Sequence, residues 1–293
     1  DPSPVSHVLA NHFKTAALLG GLIALFVFAG YQLGGGGGMI IALLIGGAMN
    51  VGAWFFSDTL AIRAMRAKEI HADGSGPRVP GVMPNEQLYA MVDRLRQRAN
   101  LPMPRVYICP HDAPNAFATG RSPRRSAVAV TQGLLRLMNE QEVEGVIAHE
   151  LAHIKNRDTA ISCVAATIAG VLAFVAQWFF FIGGRREGNP LVTFGVLILA
   201  AVGAAMIKAM ISRSREYIAD ADGAGIAGSP DGLASGLARL DAYSKQIPLV
   251  QPNPAQNNLF IVEPLAGGGR SLVNLFATHP PTESRIAALR RLR

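Results

Sequence analysis

Four long apolar runs constrain the fold of this chain more than any other feature. Each approaches or reaches the length that a helix needs to cross a bilayer. They lie at Ala16–Leu33, Met39–Phe56, Thr159–Ile182 and Leu191–Ile211. A buried core helix could explain one such run, but four of them, in a chain with 50% hydrophobic and only 16% charged residues, favour a membrane protein. The first run lacks a small-residue cleavage site at its end, so we expect it to be retained.

The basic residues predict how these runs are oriented. One side of the predicted membrane carries Lys14, Arg63, Arg66, Lys68, Lys155, Arg157, Arg213 and Arg215. The other side carries only Arg185 and Arg186. Because cytoplasmic segments are enriched in lysine and arginine, both termini and the long middle segment are predicted to be cytoplasmic. This asymmetry also accounts for the net charge of +7, and without a nucleic-acid-binding motif we expect no nucleic-acid partner.

The apolar runs divide the chain into four predicted parts. They are a transmembrane hairpin at residues 1–56, a cytoplasmic part at 57–158, a second hairpin at 159–211 and a cytoplasmic part at 212–293. Gly34–Gly38 is expected to form the tight turn of the first hairpin. The lipid bilayer is therefore an expected partner of the chain.

The middle segment contains both helical and strand patterns. Ser57-Asp58 is expected to cap a short basic amphipathic helix that reaches Lys68. Apolar residues recur at helical spacing in Glu86–Arg98 and in Glu140–Lys155. Short strands are predicted at Arg105–Cys109, Phe117–Thr119 and Ala127–Thr131.

The second of these helices carries two histidines and a carboxylate in the segment HELAH. His149 and His153 are four residues apart, so they are neighbours on one helical face and can present a nitrogen to the same metal ion. Glu150 lies one step round the helix and can act as general base for a water at the ion's open position. This is the pattern of a zinc protease, with one Zn²⁺ per chain, and it requires a third protein ligand.

Topology points to Glu216 as that ligand. If the helix of His153 enters the membrane near Thr159 and the chain returns near Ile211, a rise of ~1.5 Å per residue brings Glu216 back to the level of the histidines. Asp220, one turn further, could accept the free N–H of a ligand histidine and fix the orientation of its ring. Without the HELAH segment, the simpler interpretation of both carboxylates is that they are solvated groups that pair with Arg213 and Arg215.

With these residues in place, the chain resembles the HtpX-type bacterial membrane metalloproteases, relatives of the CAAX prenyl-protein endopeptidases. The matching stretches are NHFKTAALLG near the start, PNAFATGRSP at Pro114–Pro123, HELAHIKNRDT at His149–Thr159, SRSREYIAD at Ser212–Asp220 and FATHPPTESRI at Phe276–Ile286. The segment Asp1–Ala10 departs from the family pattern. The resemblance implies that His149, His153 and Glu216 bind zinc and that Glu150 is the base.

The same resemblance implies a fold and a role. The expected fold is mainly α, with four transmembrane helices and a zincin-like (gluzincin) α+β catalytic domain that carries a small β-sheet. The expected role is that of an inner-membrane endopeptidase active at the cytoplasmic face, where it cuts damaged or misfolded membrane proteins as part of quality control and the stress response. Its partners would be protein or peptide substrates.

Further residues are weaker candidates. A second electrophile beside the metal could be His279, Arg285 or Tyr217, in descending order of preference. His279 could instead be a surface histidine, and Arg285 could pair with a surface acid. The strand Phe117–Thr119 could pair with an extended substrate, and Asn115 could bond its main chain, although a turn asparagine is the simpler interpretation.

Two other functions are compatible with parts of the pattern. A catalytically silent module of the same fold could capture unfolded segments, although every expected catalytic group is present. A metal transporter would need ligands within the apolar runs, and these contain no His, Asp or Glu. The enzyme is therefore the favoured interpretation.

Overall fold

The computed structural model describes residues 58–159, 213–246 and 280–292, together with isolated positions between 20 and 56. Among these residues, no helix combines the length and the apolar character that a membrane crossing requires. The first, third and fourth predicted spans lie almost wholly outside the described residues, and the second is described at separate positions only. Gly35–Gly37, where we predicted a turn, are helical. The chain forms two compact units, Asp1–Ser57 with Ile161–Met210 and Asp58–Ala160 with Ile211–Arg293. The elements below belong to the second unit.

A four-stranded mixed sheet forms one part of this unit. Its strands are β1 (Lys68–Ile70), β2 (Arg105–Cys109), β3 (Ala116–Ser122) and β4 (Arg125–Thr131), in the order β1-β2-β4-β3. β2 and β4 are parallel, and the other two pairs are antiparallel. The three predicted strands are confirmed, with β3 and β4 longer than expected. The predicted basic helix ends at residue 64, and Lys68 begins β1 instead. Because β3 is last in the strand order, it is an edge strand.

Helices form the rest of the described unit. They are α1 (Asn85–Arg98), α2 (Gln132–Leu137), α3 (Glu140–Lys155), α4 (Arg213–Ala227), α5 (Asp231–Gln246) and α6 (Thr282–Arg290). The two helices predicted from apolar spacing are confirmed as α1 and α3. Their apolar faces join one core with residues of the sheet, because helical spacing places those side chains on one side. The small sheet with packed helices confirms the α+β part of the predicted fold.

The start of α3 is fixed by its own sequence and by α5. Asn139 and Glu142 form a reciprocal capping box, in which each side chain accepts a hydrogen bond from the other residue's backbone N–H at 3.0 Å. The buried Glu142 carboxylate also accepts hydrogen bonds from Ser235 (2.6 Å) and Arg239 (3.1 Å) on α5. The helix that carries the HELAH segment is therefore held from its first turn.

Close backbone approach sets the spacing between α3 and α4. A Cβ at Gly223 on α4 would lie 2.9 Å from the Cα and 3.0 Å from the N of His149. Only glycine allows two helix backbones to come this near. This close contact lies at His149, a predicted metal ligand. Gly223 therefore allows α4 to pack directly against the HELAH segment of α3.

Candidate metal centre

Three potential ligands converge where α3 and α4 face each other. The Nε2 atoms of His149 and His153 lie 3.1 Å apart. Glu216, in the first turn of α4, places Oε2 3.8 Å from His149 Nε2 and Oε1 3.6 Å from His153 Nε2. One ligand atom from each residue lies within 4.8 Å of the others. The alternative in which Glu216 and Asp220 are solvated is wrong, because both side chains are buried.

The spacing of these atoms fits a tetrahedral ion. Bonds of about 2.0–2.1 Å at tetrahedral angles hold ligand atoms roughly 3.3 Å apart. The observed separations of 3.1, 3.6 and 3.8 Å lie near that value, the two longer ones being measured to different oxygens of Glu216. Two imidazoles and a carboxylate are also the donor set that zinc accepts at catalytic sites, where a fourth position stays open.

The surrounding charges fit a divalent cation. Four carboxylates and two guanidinium groups lie in or against the ligand set: Glu150, Asp158, Glu216, Asp220, Arg215 and Arg285. With neutral imidazoles, four negative and two positive charges leave a formal charge of −2. A buried excess of this size is costly unless a cation compensates it. The residues present therefore suit a divalent metal.

Asp220, the acid that we predicted beside a ligand histidine, lies next to His149. Its Nδ1 lies 3.0 Å from Asp220 Oδ1, although the contact lacks the angle of a full hydrogen bond. Arg285 on α6 donates to both oxygens of Asp220, at 2.9 and 2.7 Å. Burial raises the pKa of Asp220, but Arg285 and His149 outweigh burial and hold that pKa at about 2. Asp220 is therefore a carboxylate beside the candidate ligand His149.

His153 has an equivalent acid that the sequence did not reveal. Its Nδ1 lies 3.2 Å from Asp158 Oδ2, and Arg215 Nη1 lies 3.8 Å from the other oxygen of Asp158. Burial lowers the pKa of His153, whereas Asp158 and Glu216 raise it, and the balance raises the pKa to about 9. The environment of this ring thus favours positive charge. In the sequence, Asp158 directly precedes an apolar run, a position that also suits a membrane-boundary residue.

Glu150 lies between the ligand pair and the edge of the sheet. Its Oε2 accepts a hydrogen bond of 2.7 Å from the backbone N–H of Ala118 in β3. Burial raises the pKa of Glu150, while the neighbouring His149 and His153 lower it, and the net direction is upward. A carboxylate whose pKa moves toward neutrality is a better proton acceptor at physiological pH.

The remaining candidates are placed as follows. The alternative in which Arg285 pairs with a surface acid is wrong, because Arg285 is 1% exposed and its partner Asp220 is also buried. Its Nη2 lies 3.4 Å from His149 Nε2 and its Nη1 lies 3.6 Å from Glu216 Oε2. Asn115 is fully buried at the start of β3, and its backbone pairs with Thr131. His279 lies outside the described residues.

Comparisons with known proteins identify the family of the chain. Residues 83–293 match the model of peptidase family M48. "Protease HtpX homolog" of Desulforapulum autotrophicum is 49% identical over 291 residues, which cover 96% of this chain and 90% of that protein. The protein of the same name from Burkholderia ambifaria is 46% identical over 285 residues, covering 95% and 96% of the two chains.

A solved structure shows a more distant likeness. The crystal structure of S. mikatae Ste24p has 16% sequence identity and a TM-score of 0.49, over 97% of this chain and 66% of that chain. The matches in sequence are far closer and extend over nearly the whole chain. The chain belongs to peptidase family M48, with HtpX proteases among its relatives, and is a metallopeptidase.

Proposed function

We propose that this metallopeptidase is a zinc-dependent endopeptidase embedded in the bacterial inner membrane, which cuts misfolded or damaged membrane proteins at the cytoplasmic face. The observation that carries the chemistry is the convergence of His149, His153 and Glu216 beside the buried carboxylate of Glu150. The four apolar runs and the uneven distribution of lysine and arginine support the membrane location, with both termini in the cytoplasm.

His149 and His153 would hold zinc through Nε2 and Glu216 through a carboxylate oxygen. When bound, zinc supplies a Lewis acid that polarises the scissile carbonyl and lowers the pKa of a water to about 7. The two acids at the Nδ1 atoms keep Nε2 of each ring directed at the shared position. The ligand set is thus held in place before substrate arrives.

Glu150 would move the proton. Ala118 N–H holds Oε2, so Oε1 is the oxygen that would accept a proton from the attacking water and pass it to the leaving amine. Because the donor belongs to the edge strand, the base and the strand are fixed relative to each other. A substrate main chain that pairs with β3 would then lie next to Glu150, with Asn115 at the start of that strand.

The negative charge that develops on the carbonyl oxygen calls for a second positive or hydrogen-bonding group. Arg285 already donates through Nε and Nη2 to Asp220 and is buried against the ligands. We therefore favour a structural role for Arg285 at the ligand set and retain His279 as the first candidate for the second electrophile.

The test compares purified full-length wild type with Glu150→Gln in detergent, with zinc restored and an unfolded protein as substrate. Glu144→Gln on the same helix is the matched control, because this carboxylate pairs with Arg94 at the surface. We expect Glu150→Gln to retain one zinc per chain and to lose about 10²–10⁴-fold in cleavage rate. The control should cleave like wild type, and a chelator should stop both active proteins.

Equal cleavage by wild type and Glu150→Gln would contradict the role of Glu150. No cleavage by wild type, despite one bound zinc, would instead favour a substrate-capturing module. Comparing a membrane-embedded substrate with a soluble one tests the substrate class, and labelling of single introduced cysteines from each side of the membrane tests the topology.

A further inference from the structure

Asp158 has a position that the proposed mechanism does not by itself require. It lies just beyond the C-terminal end of α3, and its side chain is buried. Its Oδ2 is 3.2 Å from Nδ1 of His153. Because Nε2 of that ring faces His149 and Glu216, Nδ1 is the nitrogen that can donate a proton to Asp158.

Arg215 connects this acid to the other ligand helix. Its Nη1 is 3.8 Å from Asp158 Oδ1, and its side chain is 11% exposed. It directly precedes Glu216 in α4, so one contact joins the end of the HELAH helix to the start of the helix that carries the third ligand. The ion pair therefore spans the two elements whose relative position decides the ligand geometry.

The backbone around Asp158 is also tied to the sheet. Arg157 has a φ of 58°, a left-handed conformation that ends α3 and redirects the chain. Thr159 Oγ1 donates to the carbonyl of Gly120 in β3 at 3.0 Å. Asp158 thus lies between a left-handed residue and an anchored one, which limits where its carboxylate can point.

The two ligand histidines differ in how their rings are held. The side chain of His149 is 2% exposed, and neighbouring atoms enclose it, whereas the side chain of His153 is 16% exposed and lies near the end of its helix. A ring with less packing around it depends more on polar contacts for its orientation. His153 is the ligand for which an orienting acid matters most.

We propose that Asp158 and Arg215 are positioning residues for the metal ligand His153: Asp158 fixes the ring so that Nε2 points at the metal, and Arg215 holds Asp158 in register with Glu216. This inference rests on the proposed zinc site. Replacement of an outer partner of a metal-binding histidine typically lowers metal affinity about 10–100-fold. The same contact should influence the ligand field of the bound ion.

The experiment uses the full-length chain in detergent with its metal removed. Zinc affinity is measured by competition with a chromophoric chelator, and the coordination is read from the visible absorption of the Co²⁺-loaded protein. The variants are Asp158→Asn, which keeps the shape and removes the charge, and Arg215→Gln. Asp222→Asn is the control. This acid lies on α4, as Arg215 does, and it accepts a hydrogen bond from Asn156 Nδ2 at 2.8 Å, but it does not contact the ligands.

We expect Asp158→Asn to weaken zinc binding about 10–100-fold and to change the Co²⁺ spectrum. Arg215→Gln should act in the same direction, more weakly, and Asp222→Asn should stay within about twofold of wild type. If Asp158→Asn is not recovered folded, as judged by circular dichroism, Arg215→Gln and Asp158→Glu carry the test.

Wild-type affinity and an unchanged Co²⁺ spectrum in the folded variants would overturn the inference, even if their thermal stability falls. If His149→Ala binds zinc as tightly as wild type does, the proposed zinc site itself is overturned, and this inference with it. The two failures are distinguishable, because only the second involves the ligand variant.

Discussion

Gly223→Ala should damage the metal site without replacing any of the ligand side chains. The added Cβ would lie 2.9 Å from the Cα and 3.0 Å from the N of His149, and both are backbone atoms that cannot rotate away. Ordinary carbon contacts begin near 3.5 Å, so α4 must move from α3 by at least about 0.6 Å. Zinc sites tolerate only about 0.2 Å in their bond lengths. Glu216 moves with α4, so we expect zinc affinity to fall about tenfold or more, which corresponds to at least ~1.4 kcal/mol.

Gly225→Ala, two residues further along the same helix, is the matched control. Nothing lies within 4 Å of its added Cβ. Replacing glycine by alanine in a helix stabilises it by up to about 1 kcal/mol, a gain common to both variants. Overpacking costs about 1–3 kcal/mol and applies to Gly223→Ala alone. The free energies of unfolding should therefore differ by ~1–3 kcal/mol between the two variants.

The assay is thermal unfolding of the full-length chain in detergent, followed by circular dichroism in the presence of a chelator, with zinc affinity measured separately. A difference of that size corresponds to several degrees in Tm for a chain of this length. Equal Tm and equal zinc affinity for the two variants would refute the argument that backbone contact at Gly223 sets the spacing of α3 and α4.

Three further predictions concern stability. Glu142→Gln should lower the free energy of unfolding by about 1–3 kcal/mol, because the buried carboxylate accepts hydrogen bonds from Ser235 and Arg239. Zinc affinity should stay within twofold of wild type. A variant as stable as wild type in chemical unfolding would contradict this prediction. Zinc at about 1,000 times its Kd should raise the free energy of unfolding by about 4 kcal/mol, and His153→Ala should lose this effect in the same melt. Burial raises the pKa of Cys109 to about 12, whereas an unfolded thiol ionises near pH 8.5. Ionisation of the unfolded thiol therefore favours unfolding above that pH. Between pH 9 and 11, the free energy of unfolding should fall more steeply in wild type than in Cys109→Ala, by up to about 1.4 kcal/mol per pH unit. Parallel pH curves would count against burial of this thiol.

Sequence patterns predicted α1, α3, β2, β3 and β4 and gave no prediction for β1, α2 or α5. α1 and α3 each contain several turns of apolar spacing, so their period is visible in the sequence. β1 has three residues and α2 has six, which is too few for either period to emerge. The amphipathic pattern before β1 continued to Lys68, but the helix ends earlier because pairing with β2 places Lys68 opposite Ile108.

The partners of the site residues were predictable only in part. Asp220 follows Glu216 by one helical turn, so a role beside a ligand could be inferred from spacing. The role of Asp158 could not, since its position before an apolar run also suits a boundary residue. Arg285 belongs to a helix whose sequence gives no sign that it is buried, and the need to compensate Asp220 becomes visible only when α6 packs against α4.

The sequence by itself determined that His149 and His153 share one face of a helix with Glu150 beside them, because residues four apart on a helix are neighbours whatever surrounds them. Only the tertiary structure shows how near Glu216 comes to the two histidines, that Asp158 and Asp220 each face one histidine, and that Arg215 and Arg285 pair with those acids. The spacing of a single helix is local. Burial and charge compensation arise between elements far apart in the chain, and they exist only once packing has brought α3, α4 and α6 together.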